Sequence, residues 1–375
     1  MTLSLAWRNL VHDKVRLTVT ITGIVFAVVL IVVQLGLFLG FTTTTSNLID
    51  RSGADLWITA RYVPYIEAGA PFSERKLSQV LATPGVAHAT KLITRFSQWQ
   101  RPDGRLESVQ IVGINPDQPL GAPWNVVGGN VRDLKTPENV FVDELYKEKL
   151  GVTHLGQVVE IRGHRARVAG FTRGIRSFTT SPYVFTSFKS AQDYAGLLAD
   201  QTIFMLVSAR PGTDLEPLRR SLAARLTDVD VVTNATFSRM TQFYWMFTTG
   251  AGVAVLLAAL LGLVVGVVVV AQTIYATTMD HLKEYGTLKA MGATNPYLYR
   301  VILQQAAMSG VVGYAIGMLA SLVVVRGSEQ GGAAILLPGW MAIAMFGVTL
   351  AMCLTAAIVS INKVTRLDPA TVFKG

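Results

Sequence analysis

Residues 17–41 read LTVTITGIVFAVVLIVVQLGLFLGF, twenty-five positions without a single Asp, Glu, Lys, Arg or His. As a helix this run extends about 37 Å at 1.5 Å per residue, enough to cross the roughly 30 Å hydrocarbon core of a bilayer. Three more uncharged windows follow, at 240–279, 301–325 and 330–362. The charged residues, 15% of the chain, are therefore crowded into the remainder, where their density is that of an ordinary soluble protein. The pattern excludes a purely soluble globular protein, a disordered chain and a small disulfide scaffold. It predicts spans at 17–41, 246–276, 301–325 and 337–361. The first is too long, and too poor in small residues near Phe38–Thr42, for a cleaved signal peptide, and is expected to remain as an anchor.

Short flanks orient the spans. Residues 1–16 carry Arg8, Lys14 and Arg16 against Asp13. Residues 277–300 carry Lys283, Lys289 and Arg300 against Asp280 and Glu284. The tail, 362–375, carries Lys363, Arg366 and Lys374 against Asp368. The positive-inside rule places all three in the cytoplasm. Both termini are then cytoplasmic, and the block 42–242 lies outside, with only a short outer loop at 326–336. The expected localisation is the bacterial inner membrane, multi-pass, with the large domain periplasmic or extracellular. The inner segments hold +5 of the net charge of +9. Topology and anionic lipid headgroups account for that excess, and no nucleic-acid motif accompanies it.

The outer block reads as α+β. Strand patterns occupy 54–62, 86–96 and 108–113, with a short amphipathic helix at 73–82 closed by Pro84-Gly85. Near its end come a strand at 203–209, a Pro211-Gly212 turn, a helix at 214–226 capped by Asp214, and a strand at 229–233. Between them, 140–150, 158–163, 167–171 and 183–188 suggest a strand-rich insertion at about 135–200. The fold class is thus a membrane protein with four transmembrane α-helices in a one-plus-three layout and a large α+β extracytoplasmic domain between spans one and two.

Catalytic chemistry is not legible. The chain has one cysteine, Cys353, in the fourth span, so thiol catalysis, disulfides and cysteine-held zinc are excluded from the outer domain. His12, His88, His154, His164 and His281 have no zinc spacing. The phosphate-cradling G-x-x-x-x-G-K-[ST] and the G-x-S-x-G elbow are missing. Asp143 and Glu144 are adjacent, and adjacent side chains diverge in a helix or strand, so a solvated face is expected. No catalytic residue, metal ligand or cofactor is assigned to this chain. Spans without ionisable groups also disfavour a proton-coupled carrier. Gln34 is read first as a structural residue with an internally satisfied hydrogen bond, and a cavity-lining or interhelical bond is its functional alternative. Gly36 and Gly40, Gly262 and Gly266, and Gly313 and Gly317 are small-xxx-small pairs that suit close helix packing, within one chain or in a homodimer. Phe237–Thr278, 42 residues, would measure about 63 Å as one helix, about twice the bilayer core. The excess would be a stalk, with Phe243, Tyr244 and Trp245 as an aromatic belt.

Between spans two and three, residues 280–295 read as a short helix ending at Gly292. Leu282, Tyr285, Leu288 and Met291 recur every three residues as an expected apolar face, with Lys283, Glu284 and Lys289 on the wetter side. Such a helix either lies on lipid or inserts into a groove of a partner.

The stretch Glu284-Tyr285-Gly286-Thr287-Leu288-Lys289-Ala290-Met291-Gly292-Ala293 resembles the E-x-G-x-L-K-A-[IM]-G-A coupling segment of ABC-transporter permeases of the MacB/FtsX/LolC superfamily. Ala6-Trp7-Arg8-Asn9-Leu10 with Lys14-Val15-Arg16, and Arg366-Leu367-Asp368-Pro369-Ala370 with Val372-Phe373, are similar to its termini. Gln34-Leu35-Gly36 and the lack of a fused ATPase look most like the DevC group. The resemblance implies a homodimer with two copies of a separate cytoplasmic ATPase, which would bind the ATP and magnesium. Glu284, Gly286, Leu288, Lys289, Gly292 and Ala293 would contact that ATPase. It also implies mechanotransmission through spans one and two to the outer domain, a lipid, glycolipid or other amphiphile as cargo, and a periplasmic adaptor with an outer-membrane duct as further partners. The alternative within the superfamily is an FtsX-like regulatory permease that controls an extracytoplasmic partner without moving cargo.

Overall fold

A computed structural model describes residues 14–179, 181–328 and 335–365. It divides into two compact units: one holds Phe41–Gly252, and the other the described residues before and after that block.

The second unit is helical. α1 (Lys14–Thr45) supplies its first part, and its end enters the first unit. Four described helices are long and apolar enough to cross a membrane, over Leu17–Thr45, Ala251–Asp280, Asn295–Ser328 and Gly339–Ser360. The first and third run past the expected limits, to Thr45 and over Asn295–Ser328, because helix geometry persists into polar flanks; the second is shifted from 246–276 to Ala251–Asp280, and the fourth lies within 337–361. The glycines set the packing inside one chain. A Cβ on Gly313 would lie 2.6 Å from the Ile24 side chain, and one on Gly317 2.9 Å from Val28. Gly266 meets Ile31 at 2.8 Å and Gly262 the stem of Gln34 at 3.0 Å. Gly36 faces Ile335 and Leu336, and its carbonyl accepts the Leu336 N–H at 3.0 Å. Gly40 is buried. Where apolar burial gives helices no net drive to associate, close backbone approach supplies dispersion contact instead.

The outer unit is built on one sheet. Its strands are β1 (Leu56–Ala60), β3 (Val86–Gln100), β4 (Leu106–Ile114), β5 (Val126–Gly128), β6 (Asn139–Asp143), β7 (Val158–Ile161), β8 (His164–Thr172), β9 (Tyr183–Ser187), β11 (Phe204–Ala209) and β12 (Val229–Thr233), while β2 (Phe72–Ser73) and β10 (Gln201–Thr202) pair separately. The order is β12-β1-β11-β3-β4-β9-β6-β8-β5, with β7 against β3 and β8. The insertion at about 135–200 thus adds β6–β9 to the common sheet, β9 running parallel to β4 from Gln110 opposite Tyr183. β1 and β11 are buried on both faces. Leu56, Ile58, Met205 and Val207 meet α2 (Lys76–Leu81) and α4 (Leu215–Arg225), while Trp57, Phe204 and Leu206 point into the larger core. Alternation along a strand makes this possible only where helices or loops cover both sides. α3 (Phe188–Ala195) packs on β3 and β4, and Asp214 caps α4 by accepting the Glu216 N–H at 3.2 Å.

Three expectations are corrected. The stretch 140–150 is a strand only to Asp143; beyond it the chain makes a 3-10 turn and a helical turn ending at Gly151, left-handed at φ 66°. Asp143 is buried, not solvated. It accepts from Leu145 N and Gly174 N at 3.1 and 3.2 Å through Oδ1, and from Ile175 N and the Thr172 hydroxyl at 2.7 and 2.8 Å through Oδ2. Glu144 does face water, where Lys147 and Arg173 hold its carboxyl below the usual range.

The third correction concerns the stalk. α5 (Asn234–Phe243) passes into a π-helical turn at Tyr244–Thr248, closed by Thr249 N to Tyr244 O at 3.1 Å. Gly250 then turns left-handed at φ 74°, and the Thr249 hydroxyl accepts the Ala251 N–H at the start of α6 (Ala251–Asp280). A continuous 42-residue helix is therefore replaced by two helices and a hinge. The aromatic belt divides too. Tyr244 stacks on Tyr65 at 3.8 Å and Trp245 packs on Phe178 at 4.3 Å, whereas Phe243 pairs with Phe247 in solvent-facing positions.

Gly313→Ala is expected to lower the thermal midpoint of the purified protein, costing about 1–3 kcal/mol by overpacking. Gly327→Ala, where nothing lies within 4 Å, should not lower it. Asp143→Ala should destabilise the outer unit by about 3 kcal/mol by stranding buried donors, read by tryptophan fluorescence during unfolding, with Asp143→Asn falling between it and the wild type.

Candidate functional site

The candidate site is the reversal between α6 and the next span. After Asp280 a single turn at His281 leads into α7 (Leu282–Ala290), and the following span is α8 (Asn295–Ser328). Gly292 ends α7 in a left-handed conformation, φ 94°. Its N–H donates to Lys289 O at 3.1 Å and that of Ala293 to Leu288 O at 3.0 Å, the paired bonds of a Schellman motif. Ala293 and Leu288 both pack against the membrane core, completing its apolar contact.

Tyr285 holds α7 in place. Its ring is 1% exposed, and its hydroxyl donates to Gln305 Oε1 of α8 at 2.8 Å. Burial raises the phenol above its ordinary pKa, so it stays a neutral donor. Beside it is a cavity of about 30 Å³ lined by Thr20, Thr277, Thr278, His281, Tyr285, Gln305 and Ser309. That is room for about two water molecules among polar groups. Thr20 and Thr277 exchange a hydroxyl hydrogen bond at 2.8 Å across α1 and α6, and His281 Nδ1 lies 3.0 Å from Glu284 Oε2. Of these contacts, Tyr285–Gln305 ties α7 to α8, Thr20–Thr277 ties α1 to α6, and His281–Glu284 is local to the start of α7.

The expected apolar face is only partly present. Tyr285 is buried and Leu288 half-buried, but Met291 is 71% exposed. Three residues subtend about 300° of helix, so a strict every-third repeat drifts round the helix and reaches the opposite side after three steps. The exposed stripe is Glu284, Thr287 and Met291, with Gly292 beside it. Of the six residues assigned to ATPase contact, Glu284 and Gly292 are therefore outward. Gly286 is buried, Leu288 and Ala293 are turned partly into the core, and Lys289 is half-buried. Thr287 and Met291 are the surface residues that the repeat concealed; plotting the segment at 100° per residue would have found them. The side chains of Leu282 and Lys283, and the terminal stretches Ala6–Leu10 and Arg366–Phe373, lie outside the described residues. Among the described residues, no three His, Cys, Asp or Glu side chains gather as a metal site.

Comparison with known proteins gives this reversal its context. The family model for the MacB-like periplasmic core domain matches residues 17–225, and that for the FtsX-like permease C-terminal matches 256–369. The chain belongs to the MacB/FtsX family of ABC-transporter permeases. Two relatives resemble it end to end: Uncharacterized ABC transporter permease Rv0072 of Mycobacterium tuberculosis (strain ATCC 25618 / H37Rv), 25% identical over 379 residues, and Uncharacterized ABC transporter permease Mb2592 of Mycobacterium bovis, 26% identical over 374, each covering 99% of both chains. The periplasmic region of MacB from Actinobacillus actinomycetemcomitans is similar over 50% of this chain and 93% of its own, at 12% identity and a TM-score of 0.40. The extracellular domain of the transporter YknZ from Gram-positive bacteria is similar over 48% and 98%, at 12% identity and a TM-score of 0.36. The protein is thus a multi-pass inner-membrane permease subunit of an ABC transporter. Its four apolar helices and α+β outer domain follow the family layout, and α7 lies within the FtsX-like segment.

Tyr285→Phe is expected to strand the Gln305 carbonyl and cost about 1–2 kcal/mol. Thermal unfolding should show this, and Gln305→Leu combined with Tyr285→Phe should cost less than the sum of the single changes.

Proposed function

We propose that this permease subunit is driven by two copies of a separate cytoplasmic ATPase that docks on the exposed stripe of α7, and that it works as a homodimer. The observation that supports this is the construction of α7. It is a short helix pinned from behind by Tyr285 and closed by Gly292, which leaves Glu284, Thr287 and Met291 presented together on a fixed surface. A rigid, side-chain-anchored helix transmits a push; a loop would absorb it. With α7 in the cytoplasm, both termini are there as well. ATP and magnesium are then the partner's, and this chain contributes positioning without chemistry.

On this reading the stroke of the ATPases moves spans one and two and thereby the outer domain, exporting a lipid, glycolipid or other amphiphile. An adaptor and an outer-membrane duct complete the path where the cell envelope has an outer membrane. The hinge at Tyr244–Gly250 makes the transmitted motion a bend at the entry to span two, instead of the translation of a rigid stalk.

The test is co-purification of the ATPase with permease variants and the ATPase rate of the complex. Met291→Asp should reduce ATPase recovery at least tenfold while thermal unfolding of the permease is unchanged. Wild-type recovery and rate for both Met291→Asp and Glu284→Lys would refute the docking surface. ATP hydrolysis that responds to an outer protein partner and to no amphiphile would favour a regulatory permease over an exporter.

A further inference from the structure

Glu67 is a carboxylate placed where a carboxylate is costly. It belongs to a 3-10 turn, Ile66–Ala68, in the outer unit. Oε2 accepts from Trp245 Nε1 at 3.3 Å, and Oε1 is fully buried without a hydrogen-bond partner among the described residues. The surroundings are aromatic. Tyr65, one residue before the turn, stacks on Tyr244 at 3.8 Å and meets Trp245 edge-on at 5.6 Å. Phe178 lies 4.3 Å from Trp245 and 5.9 Å from Phe41 near the end of α1. The turn itself cannot easily retreat, because Gly69 sits so close to Ile203 and Phe204 that a Cβ there would overlap both side chains.

The arrangement joins three segments at one point: the turn bearing Glu67, the loop bearing Phe178, and the π turn bearing Tyr244 and Trp245. The π turn is followed immediately by left-handed Gly250, with nothing within 4 Å of where its Cβ would be. π turns inside helices are frequent at functional sites. Here Trp245 is held by edge-on and tilted ring contacts with Tyr65 and Phe178 and by one hydrogen bond to Glu67.

We propose that Glu67 is a proton-binding, positioning residue that clasps Trp245, and with it the hinge before span two, while its carboxyl is neutral. The Trp245 N–H alone favours the ionised carboxyl, but burial outweighs it: a neutral carboxyl accepts that N–H through its carbonyl oxygen at little cost in hydration, whereas an ionised one gains more by turning to water. An ionised one needs several donors, and this site offers Trp245 Nε1 and the residue's own backbone N–H. The groups facing it are Tyr65 on its own segment, Tyr244 and Trp245 on the π turn, and Tyr183 on β9, whose own pKa is raised by burial and then by Glu67. On β3, which packs against the turn, Lys91 is paired with Glu74 and Arg95 is exposed. On the Phe178 loop, Arg176 acts on Tyr146 and Arg173 pairs with Glu144. Burial accordingly pushes Glu67 up to about 7, with its own N–H and Trp245 opposing the shift. The folded chain therefore binds a proton that the unfolded chain releases near 4.5. The stabilisation is complete below that pH and is lost as pH rises through about 7. On the outer side of a membrane this range is set by the environment, so the clasp reports external acidity to the start of span two. The inference concerns the outer domain alone and stands whether or not an ATPase docks on α7.

The test uses the full-length protein in lipid nanodiscs with 5-fluorotryptophan, the Trp245 fluorine resonance being assigned by its loss in Trp245→Phe. The wild-type resonance should titrate with a midpoint near pH 7, and Glu67→Gln should hold it at the low-pH position from pH 6 to 8. The thermal midpoint of Glu67→Gln should also gain on the wild type as pH is raised from 5 to 8. A wild-type resonance that does not move overturns the proposal, and this holds even if the variant fails to accumulate. So does an equal titration in Glu67→Gln, or a midpoint difference independent of pH.

Discussion

Helices in lipid have no apolar surface to hide from water, so this membrane unit depends on how closely backbones can approach. Gly313 and Gly317 bring α8 against Ile24 and Val28 of α1, and Gly262 and Gly266 bring α6 against Gln34 and Ile31 of the same helix. α1 thus carries α6 and α8, and the fourth span packs on α8, where Gly310 meets Cys353. The few polar bonds in the unit follow from that assembly. Thr20 reaches Thr277, and Tyr285 reaches Gln305, because the helices carrying them are already in contact. Of these, the Tyr285–Gln305 bond fixes the surface helix α7 to the packed interior.

The outer unit solves a different problem, since water surrounds it and burial does drive it. Its sheet is covered on both faces where β1 and β11 run, and its irregular segments are held by buried polar groups. Asp143 satisfies four donors around the turn that leads to the Phe178 loop. Glu67 has far fewer donors, in a more apolar place. The contrast between Asp143, buried and fully bonded, and Glu67, with one buried oxygen left unbonded, separates a structural anchor from a group poised to take up a proton.

Much of this was legible in the chain. Four uncharged windows are a one-dimensional signal, because a helix satisfies its backbone internally and its length alone decides whether it can span a bilayer. The strands near both ends of the outer block were legible for a similar reason: β12 and the Asp214-capped α4 carry their alternation and their cap within a few residues. Other features were hidden. The three-residue repeat in 282–291 suggested a face that helix geometry rotates away, so Met291 emerged on the surface and Gly286 inside. The run through Phe237–Thr278 looked continuous because π-helical hydrogen bonding at Tyr244–Thr248 leaves no composition mark, and one glycine is common in spans.

By itself, then, the sequence determined the number of spans, the inserted α+β domain and the family, since each rests on local pattern: charge-free length, alternation, or a motif of ten consecutive residues. The tertiary structure alone decided which glycines meet which side chains, which residues of the α7 segment face outward, and that Asp143 and one carboxyl oxygen of Glu67 are buried. These depend on contacts between residues tens to hundreds of positions apart. Whether a carboxylate is solvated, satisfied or stranded is a property of what surrounds it, and no local pattern records those surroundings.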